Sequence, residues 1–292
     1  MTVSSFSQRA VKINLLNSSA AGAGPRQTLN MATSSNKKIG LVLSGGGARG
    51  FAHVGVLKVL EQHGIRFDMI AGTSAGSIVG GALAAGMNAA RIEAMARRIG
   101  WLNTIRPTLP FRGLLSTAPI GKFLARELPV TRFEDLATPF AAVAYDLAAG
   151  REVVFEGRGD LIHAIRASCS VPLLFAPVKD SEGRVLVDGG VTSVMPVDVI
   201  RKMGADVVIA VDLIACGGVY PRKPRNVVSI GVRSALTLIR TASGSQASVA
   251  DVVIVPQIAH LRPDQLGKRD EFIELGEAAA AAAIDEIIAL TQ

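Results

Sequence analysis

The chain has 292 residues, 49% of them apolar, with 30 glycines and only 4% aromatics, so it can bury a substantial core built from Ala, Val, Leu and Ile. Its net charge of +7 is uneven: the first 60 residues hold seven Lys and Arg and no acid, while the remaining basic residues balance the 24 acids, which argues against a nucleic-acid face on the folded domain. Two cysteines, Cys169 and Cys216, and four scattered histidines exclude a disulfide framework and a structural zinc site, and point to a reducing compartment.

Residues 1–37 are acid-free and rich in Ser, Ala and Asn. They read as a disordered basic arm, with Met31 as an alternative start, or as a targeting or anionic-membrane tether; no apolar stretch of secretory type stands in them. The folded domain is expected over residues 38–292. Apolar runs then alternate with amphipathic segments, the pattern of a largely parallel sheet covered by helices. The reading gives a strand at Ile39–Leu43, a helix at Ala52–His63 ended by Gly64, a strand at Met69–Ala71 and small-residue helices at Gly76–Ala85 and Ala89–Ile99. Residues 69–90 carry no charge, but their glycines and scarcity of large apolar side chains fit a strand, a turn and a buried helix better than a membrane span. Residues 101–130, with Trp101, Leu109, Phe111, Leu114 and Leu115, read as irregular, either a cap near a site or an ordinary packed loop. Strands follow at Phe140–Tyr145 and Glu152–Phe155, a helix at Leu161–Ala167, and a hairpin-like pair at Ala176–Val178 and Val185–Val187. Strands at Val207–Val211 and Val252–Ile254 and a helix at Asp270–Leu290 complete the chain.

Two glycine-rich turns end the first two strands. Ile39–Leu43 runs into Ser44-Gly45-Gly46-Gly47-Ala48-Arg49-Gly50, and Met69–Ala71 into Gly72-Thr73-Ser74-Ala75-Gly76. A strand turning through glycines into a helix leaves backbone N–H groups free to meet negative charge. Gly-x-Ser-x-Gly after a strand lifts a serine hydroxyl onto a tight turn, where a substrate reaches it. An anion cradle beside a presented nucleophile suits acyl transfer. The first turn also fits G-x-G-x-x-G, with Asp68 at nearly the spacing of a ribose-binding acid. Asp68, however, precedes the second strand and so belongs at the opposite edge of the sheet, which makes a nucleotide-dependent oxidoreductase the weaker reading.

Ser74 needs a base. Asp188, in Val185-Leu-Val-Asp-Gly-Gly190, closes a strand at a turn signal, and loops at the carboxyl ends of strands in one sheet share a crevice. The order Ser74, Asp188, His260 also satisfies a serine–acid–histidine triad, although His260 sits in a stretch without a motif of its own. His53, His63 and His163 read as packing or surface side chains.

These motifs, together with Arg166-Ala-Ser-Cys-Ser-Val-Pro172 and Ile209-Ala-Val-Asp212, resemble those of the patatin-like phospholipases, in particular the short bacterial members similar to the catalytic domain of neuropathy target esterase. The resemblance keeps family order from about Lys38 to beyond Asp212. It implies a three-layer α/β/α fold around a central, largely parallel sheet, and a Ser/Asp dyad in which no histidine takes part. Ser74 would be the nucleophile, Asp188 the base, and the N–H groups of Gly45, Gly46 and Gly47 the oxyanion hole. Arg49, Gly50, Gly72, Gly76, Gly189 and Gly190 support those motifs; Arg49 either fixes the glycine loop or lies solvated at a helix start. Family members often carry Asn near Ser193, in the segment that follows Asp-Gly-Gly, where this chain has none. The implied activity is hydrolysis of phospholipid or lysophospholipid esters at a membrane surface, without metal or other cofactor, by a cytoplasmic or peripherally bound protein. A non-catalytic or regulatory protein of the same fold is the alternative.

Overall fold

Alternate residues of the central strands serve two different cores, as the two-residue period of a strand covered on both faces requires. In the computed structural model, which describes residues 37–100, 106–108, 115–217 and 223–292, strand β1 (Ile39–Leu43) sends Leu41 and Leu43 to one side and Val42 to the other. Residues Lys37–Gln292 form the unit described here; the basic arm expected over residues 1–37 lies, apart from Lys37, outside the described residues. Strands β2 (Met69–Thr73), β5 (Phe140–Asp146), β9 (Val207–Val211) and β10 (Val252–Ile254) join β1 in the parallel order β10-β9-β1-β2-β5. The sheet then changes direction. Strand β6 (Arg151–Glu156) runs antiparallel along one edge of β5, and β8 (Val185–Asp188), itself paired with β7 (Val178–Lys179), runs antiparallel along the other. Strands β3 (Arg106–Pro107) and β4 (Leu115–Ser116) pair separately.

On the first face, α1 (Phe51–Gln62), α2 (Ala75–Ala84), α3 (Ala89–Arg97) and α8 (Arg269–Thr291) cover Leu41, Leu43, Ile70, Ile209 and Val211. Helices α1 and α8 cross at backbone contact, with Gly55 beneath Ile273 and Gly276 beneath Ala52, so no side chain holds them apart. On the second face, α6 (Val197–Lys202) and the partly buried Ile239 of α7 (Val227–Ala247) cover Val42, Ala71, Val143 and Val208. Leu41 and Leu43 are fully buried, and truncating such a side chain to Ala costs about 2–5 kcal/mol. The three-layer α/β/α fold is present, with its parallel strands at the centre.

Three helices stand where sequence reading places none, the short α6 among them. The segment expected to be irregular contains α4 (Ala118–Glu127), whose Pro119 occupies the first turn, where its missing N–H costs nothing. Its Ile120, Phe123 and Leu124 are buried at helical spacing. Helix α7 is long but rich in Ser, Thr and Gly, which hides its period. Of the proposed cap, Trp101, Leu109, Phe111 and Leu114 lie outside the described residues, and Leu115 is strand-paired in β4. The uncharged stretch 69–90 forms β2, α2 and the start of α3, and no helix among the described residues is long and apolar enough to cross a membrane.

One detail of register positions the site. Thr73 at the end of β2 lies opposite Val143, and Asp188 at the end of β8 lies opposite Ala144. Because β2 is parallel and β8 antiparallel to β5, their carboxyl ends abut on consecutive β5 residues.

Candidate active site

Ser74 sits at the turn from β2 into α2 with φ 54° and ψ −123°, a conformation that side-chain-bearing residues rarely adopt. Close approach enforces it. A Cβ at Gly76 would fall on the Leu43 carbonyl oxygen, so α2 can begin against the end of β1 only with glycine there. Gly72 in turn lies under the Gly76 carbonyl, and Gly50 packs on Ala75. Hydrogen bonds hold the turn. The Ser74 N–H donates to Ser168 Oγ at 2.8 Å, and the Ser74 carbonyl accepts from the Ser77 N–H at 2.9 Å and Ser77 Oγ at 2.6 Å. The hydroxyl thus stands at the amino end of α2, where free N–H groups favour developing negative charge.

Asp188 is brought to it by the abutting strands. Its carboxyl is buried; Oδ1 accepts the Gly190 N–H at 2.7 Å, and its own N–H donates to the Ser170 carbonyl at 3.0 Å. A Cβ at Gly189 would fall on the Val143 carbonyl, so the loop can pass over β5 only as glycine. Burial pushes the Asp188 carboxyl up from 3.8 to about 6, while the Ser74 hydroxyl and the Gly190 amide pull it back. Oδ2 nevertheless has no hydrogen-bond partner. The Ser74 hydroxyl therefore lies near enough to Asp188 to favour its charge, while Oδ2 stays without a hydrogen bond.

The first glycine turn closes over this pair. A Cβ built on Gly45 would lie 3.2 Å from Ser74 Cβ. The three amides expected to line an oxyanion pocket divide unequally. The Gly45 N–H donates to the Val194 carbonyl at 3.0 Å and is committed, whereas the Gly46 and Gly47 N–H groups have no acceptor among the described residues. Arg49 is buried, not solvated: Nε and Nη2 donate to the Leu261 carbonyl at 3.2 and 3.0 Å, and Nη1 to the Leu213 carbonyl at 3.1 Å. It ties the turn to the end of β9 and to the segment before α8.

Three supporting residues escape sequence reading. Ser168, on α5 (Leu161–Ser168), braces the serine turn; its segment, Arg166–Pro172, is legible as a motif, but its role is not. Thr73 Oγ1 donates to the Ser193 carbonyl at 2.7 Å. Gln246 of α7 donates to the Thr192 carbonyl at 2.7 Å and accepts the Met195 N–H at 3.0 Å. The loop after Asp188 is therefore clamped through main-chain groups, and Ser193 supplies a carbonyl that any residue there would supply. Cys169 lies beside Ser77, and burial, reinforced by the Asp188 charge, pushes its thiol far up, so it stays protonated.

The histidines lie elsewhere. His260 is exposed and pairs through Nε2 with Glu271 at 3.0 Å, so it does not complete a triad. His53 is buried with Nε2 2.9 Å from the Ser44 carbonyl, and burial lowers it to about 4, which keeps it neutral. His63 faces the Val59 carbonyl of its own helix, and His163 sits edge-on to Phe155. Asp68 accepts the Ile39 N–H at the amino end of β1, remote from the glycine turn, as the argument against a dinucleotide site requires.

Fold and site together define a class: a three-layer α/β/α protein with a serine turn and an aspartate, but no histidine, at the meeting of strand ends. A family model described as Patatin-like phospholipase matches residues 41–201, more than half of the chain, and the chain belongs to that family. It is 37% identical over 194 residues to an uncharacterized NTE family protein of Mycobacterium tuberculosis, covering 63% of this chain and 51% of that one. Human patatin-like phospholipase domain-containing protein 6 is 35% identical over 184 residues, covering 60% of this chain and 13% of its own. Lysophospholipase NTE1 of Candida albicans is 34% identical over 198 residues, covering 66% and 14%. The chain thus spans about half the length of the mycobacterial relative and a smaller share of the others. Among solved structures, VipD from Legionella pneumophila shares the fold at 13% identity and a TM-score of 0.52, over 86% of this chain and 67% of that one.

Proposed function

We propose that the protein is a serine acyl hydrolase that cleaves carboxylic esters of phospholipids or lysophospholipids through a Ser74/Asp188 dyad. The observation that carries this reading is the abutment of β2 and β8 on β5, which sets the strained Ser74 against a buried carboxylate with one open oxygen. Ser74 Oγ attacks the ester carbonyl carbon and its proton passes to Asp188 Oδ2. The carbonyl oxygen, now negative, takes up the N–H groups of Gly46 and Gly47; one such donor is worth roughly 100- to 1,000-fold in rate. Collapse of the tetrahedral intermediate breaks the bond to the alcohol, which leaves with the proton returned by Asp188. A water molecule then gives its proton to Asp188 and attacks the acyl-enzyme. A second collapse releases the fatty acid and restores the Ser74 hydroxyl.

A buried aspartate suits this role better than an exposed one, because its raised pKa lies closer to neutral pH. The lipid substrate is carried over from the family and from the relatives named as lysophospholipases. We place the protein in the cytoplasm, acting at a membrane surface. The test is labelling with a fluorophosphonate probe, followed by release of fatty acid from a phospholipid and lysophospholipid panel. The wild type is expected to label and turn over, and Ser74→Ala to do neither. Equal labelling of Ser74→Ala would remove the assignment, and an unlabelled but folded wild type would favour the non-catalytic alternative.

A further inference from the structure

Helix α7 presents an unusual outer face. Val227, Ile230, Ser234, Leu238 and Thr241 fall on one side of it, all are exposed, and none is charged. Val227, Leu238 and Ile230 are 86%, 72% and 51% exposed, among the largest apolar exposures of the described residues. The opposite side fixes this orientation. Ser243 Oγ donates to the buried Asp212 carboxylate at 2.7 Å, Gln246 clamps the loop after Asp188, and Ile239 packs into the second core. The helix therefore cannot turn its apolar side inward without breaking those anchors. Two of the outward hydroxyls already donate to the helix backbone: Thr237 to the Arg233 carbonyl at 2.9 Å and Thr241 to the Thr237 carbonyl at 3.1 Å. That lowers the cost of moving this face out of water.

The apolar surface continues toward the site. Leu173, half-exposed in a left-handed conformation at φ 70°, packs against Gly231 of α7. Val191 follows the Asp188-Gly189-Gly190 turn directly and is also exposed. The charge that α7 and the segment leading into it carry has one sign. Between Asp212 and Asp251 the chain contains no acid, and its described residues there include Lys223, Arg225, Arg233 and Arg240. Apolar side chains projecting from a helix whose own charges are all basic match an interface that is oily within and negative at its rim. A second copy of the chain would set these cations against their own kind across a two-fold axis.

We propose that the outer face of α7, with Leu173 and Val191, docks the protein on an anionic phospholipid bilayer and delivers lipid to the adjoining serine–aspartate site. The choice of a lipid partner rests on the hydrolase reading above, and the docking itself is measured apart from it. Co-sedimentation is read on Ser74→Ala protein, so that the outcome does not depend on that residue being the nucleophile. The vesicles are pure phosphatidylcholine, or phosphatidylcholine mixed with phosphatidylglycerol. Binding is expected to the mixed vesicles, falling with salt, and to be weak on phosphatidylcholine alone. Ile230→Ser with Leu238→Ser is expected to lower the partition coefficient by about tenfold or more, since half-buried aliphatic side chains contribute at that scale. Arg225→Glu with Arg240→Glu is expected to lower it on the mixed vesicles only. In an otherwise wild-type background the same changes should leave circular dichroism and turnover of a soluble short-chain ester unaltered. The proposal is overturned by variants that bind vesicles as well as their parent. It is equally overturned by a wild-type dimer that these substitutions turn into monomer with no change in vesicle binding, or by variants that lose turnover of the soluble ester.

Discussion

Replacing Asp188 by Asn is expected to stabilise the protein while silencing it, and the effect has a definite pH dependence. The carboxyl titrates near 3.8 in the unfolded chain and near 6 in the folded one, chiefly because it is buried. Between those values the folded state binds the proton that the unfolded state releases, so this group's contribution to stability falls as pH rises and is fully lost above about pH 6. A shift of roughly two pKa units at about 1.36 kcal/mol each amounts to about 3 kcal/mol. Asn keeps the oxygen that accepts the Gly190 N–H, places an N–H where Ser74 Oγ can accept it, and does not titrate. Wild type and variant should therefore be closest in stability near pH 4 and diverge by about 1.4 kcal/mol per pH unit up to pH 6, with the variant gaining. In a domain of this size each kcal/mol corresponds to roughly 2–4 °C in Tm. Urea unfolding followed by circular dichroism from pH 4 to pH 8 measures the difference. The offset absorbs whatever the amide itself gains or loses; the slope does not. A difference that is flat across that range would mean that the carboxyl is solvated, and the account of its raised pKa would fall with it.

The same burial sets a rate profile: kcat/KM on a soluble ester is expected to rise with pH to a plateau, with an inflection near 6, because the base must be ionised. An inflection near 4 would assign the base to an exposed carboxylate. Ser168→Ala leaves the buried Ser74 N–H without its acceptor; it should cost about 1–3 kcal/mol of stability and slow fluorophosphonate labelling, whereas Ser168→Thr should restore part of both. His260→Ala removes an exposed ion pair with Glu271; stability should change by less than about 1 kcal/mol and turnover hardly at all, and a large loss of turnover would reinstate a triad.

Local signals carried much of the site. Strand, glycines and helix stand together at residues 39–62 and again at 69–84, so the glycine turn and the serine turn were each legible within a single window of chain. Asp188 was legible as a turn; its proposed partnership with Ser74 was not a local feature. It depends on β8 taking over the edge of β5 where β2 stops, a long-range pairing for which no nearby residue gives a sign. Arg49 illustrates a different gap. An arginine at a helix start is ordinarily solvated, and only the carbonyls of Leu261 and Leu213, more than 160 residues away, turn it into an internal brace. Gln246 and α7 were hidden for a compositional reason. A helix of Ser, Thr, Gly and β-branched residues offers weak propensity, and its outward face carries no charge to mark the boundary between water and core.

The commitment of the Gly45 amide to Val194 bears on how the parts act together. Val194 belongs to the loop that Thr73 and Gln246 clamp, so one hydrogen bond couples the first glycine turn to the aspartate loop. Its Cγ2 also sits 3.3 Å from where a Gly45 Cβ would be, in the same contact that lays Gly45 on Ser74. A shift of the aspartate loop would therefore move the Gly46 and Gly47 amides with it. On the proposed mechanism this matters, because a lone aspartate is a modest base even near 6 and the reaction depends on base and oxyanion donors being correct at once. Distributing the three parts over β1, β2 and β8 would scatter them in a looser fold. Here the end of β2, the end of β8 and the Val194 bond hold them as one body.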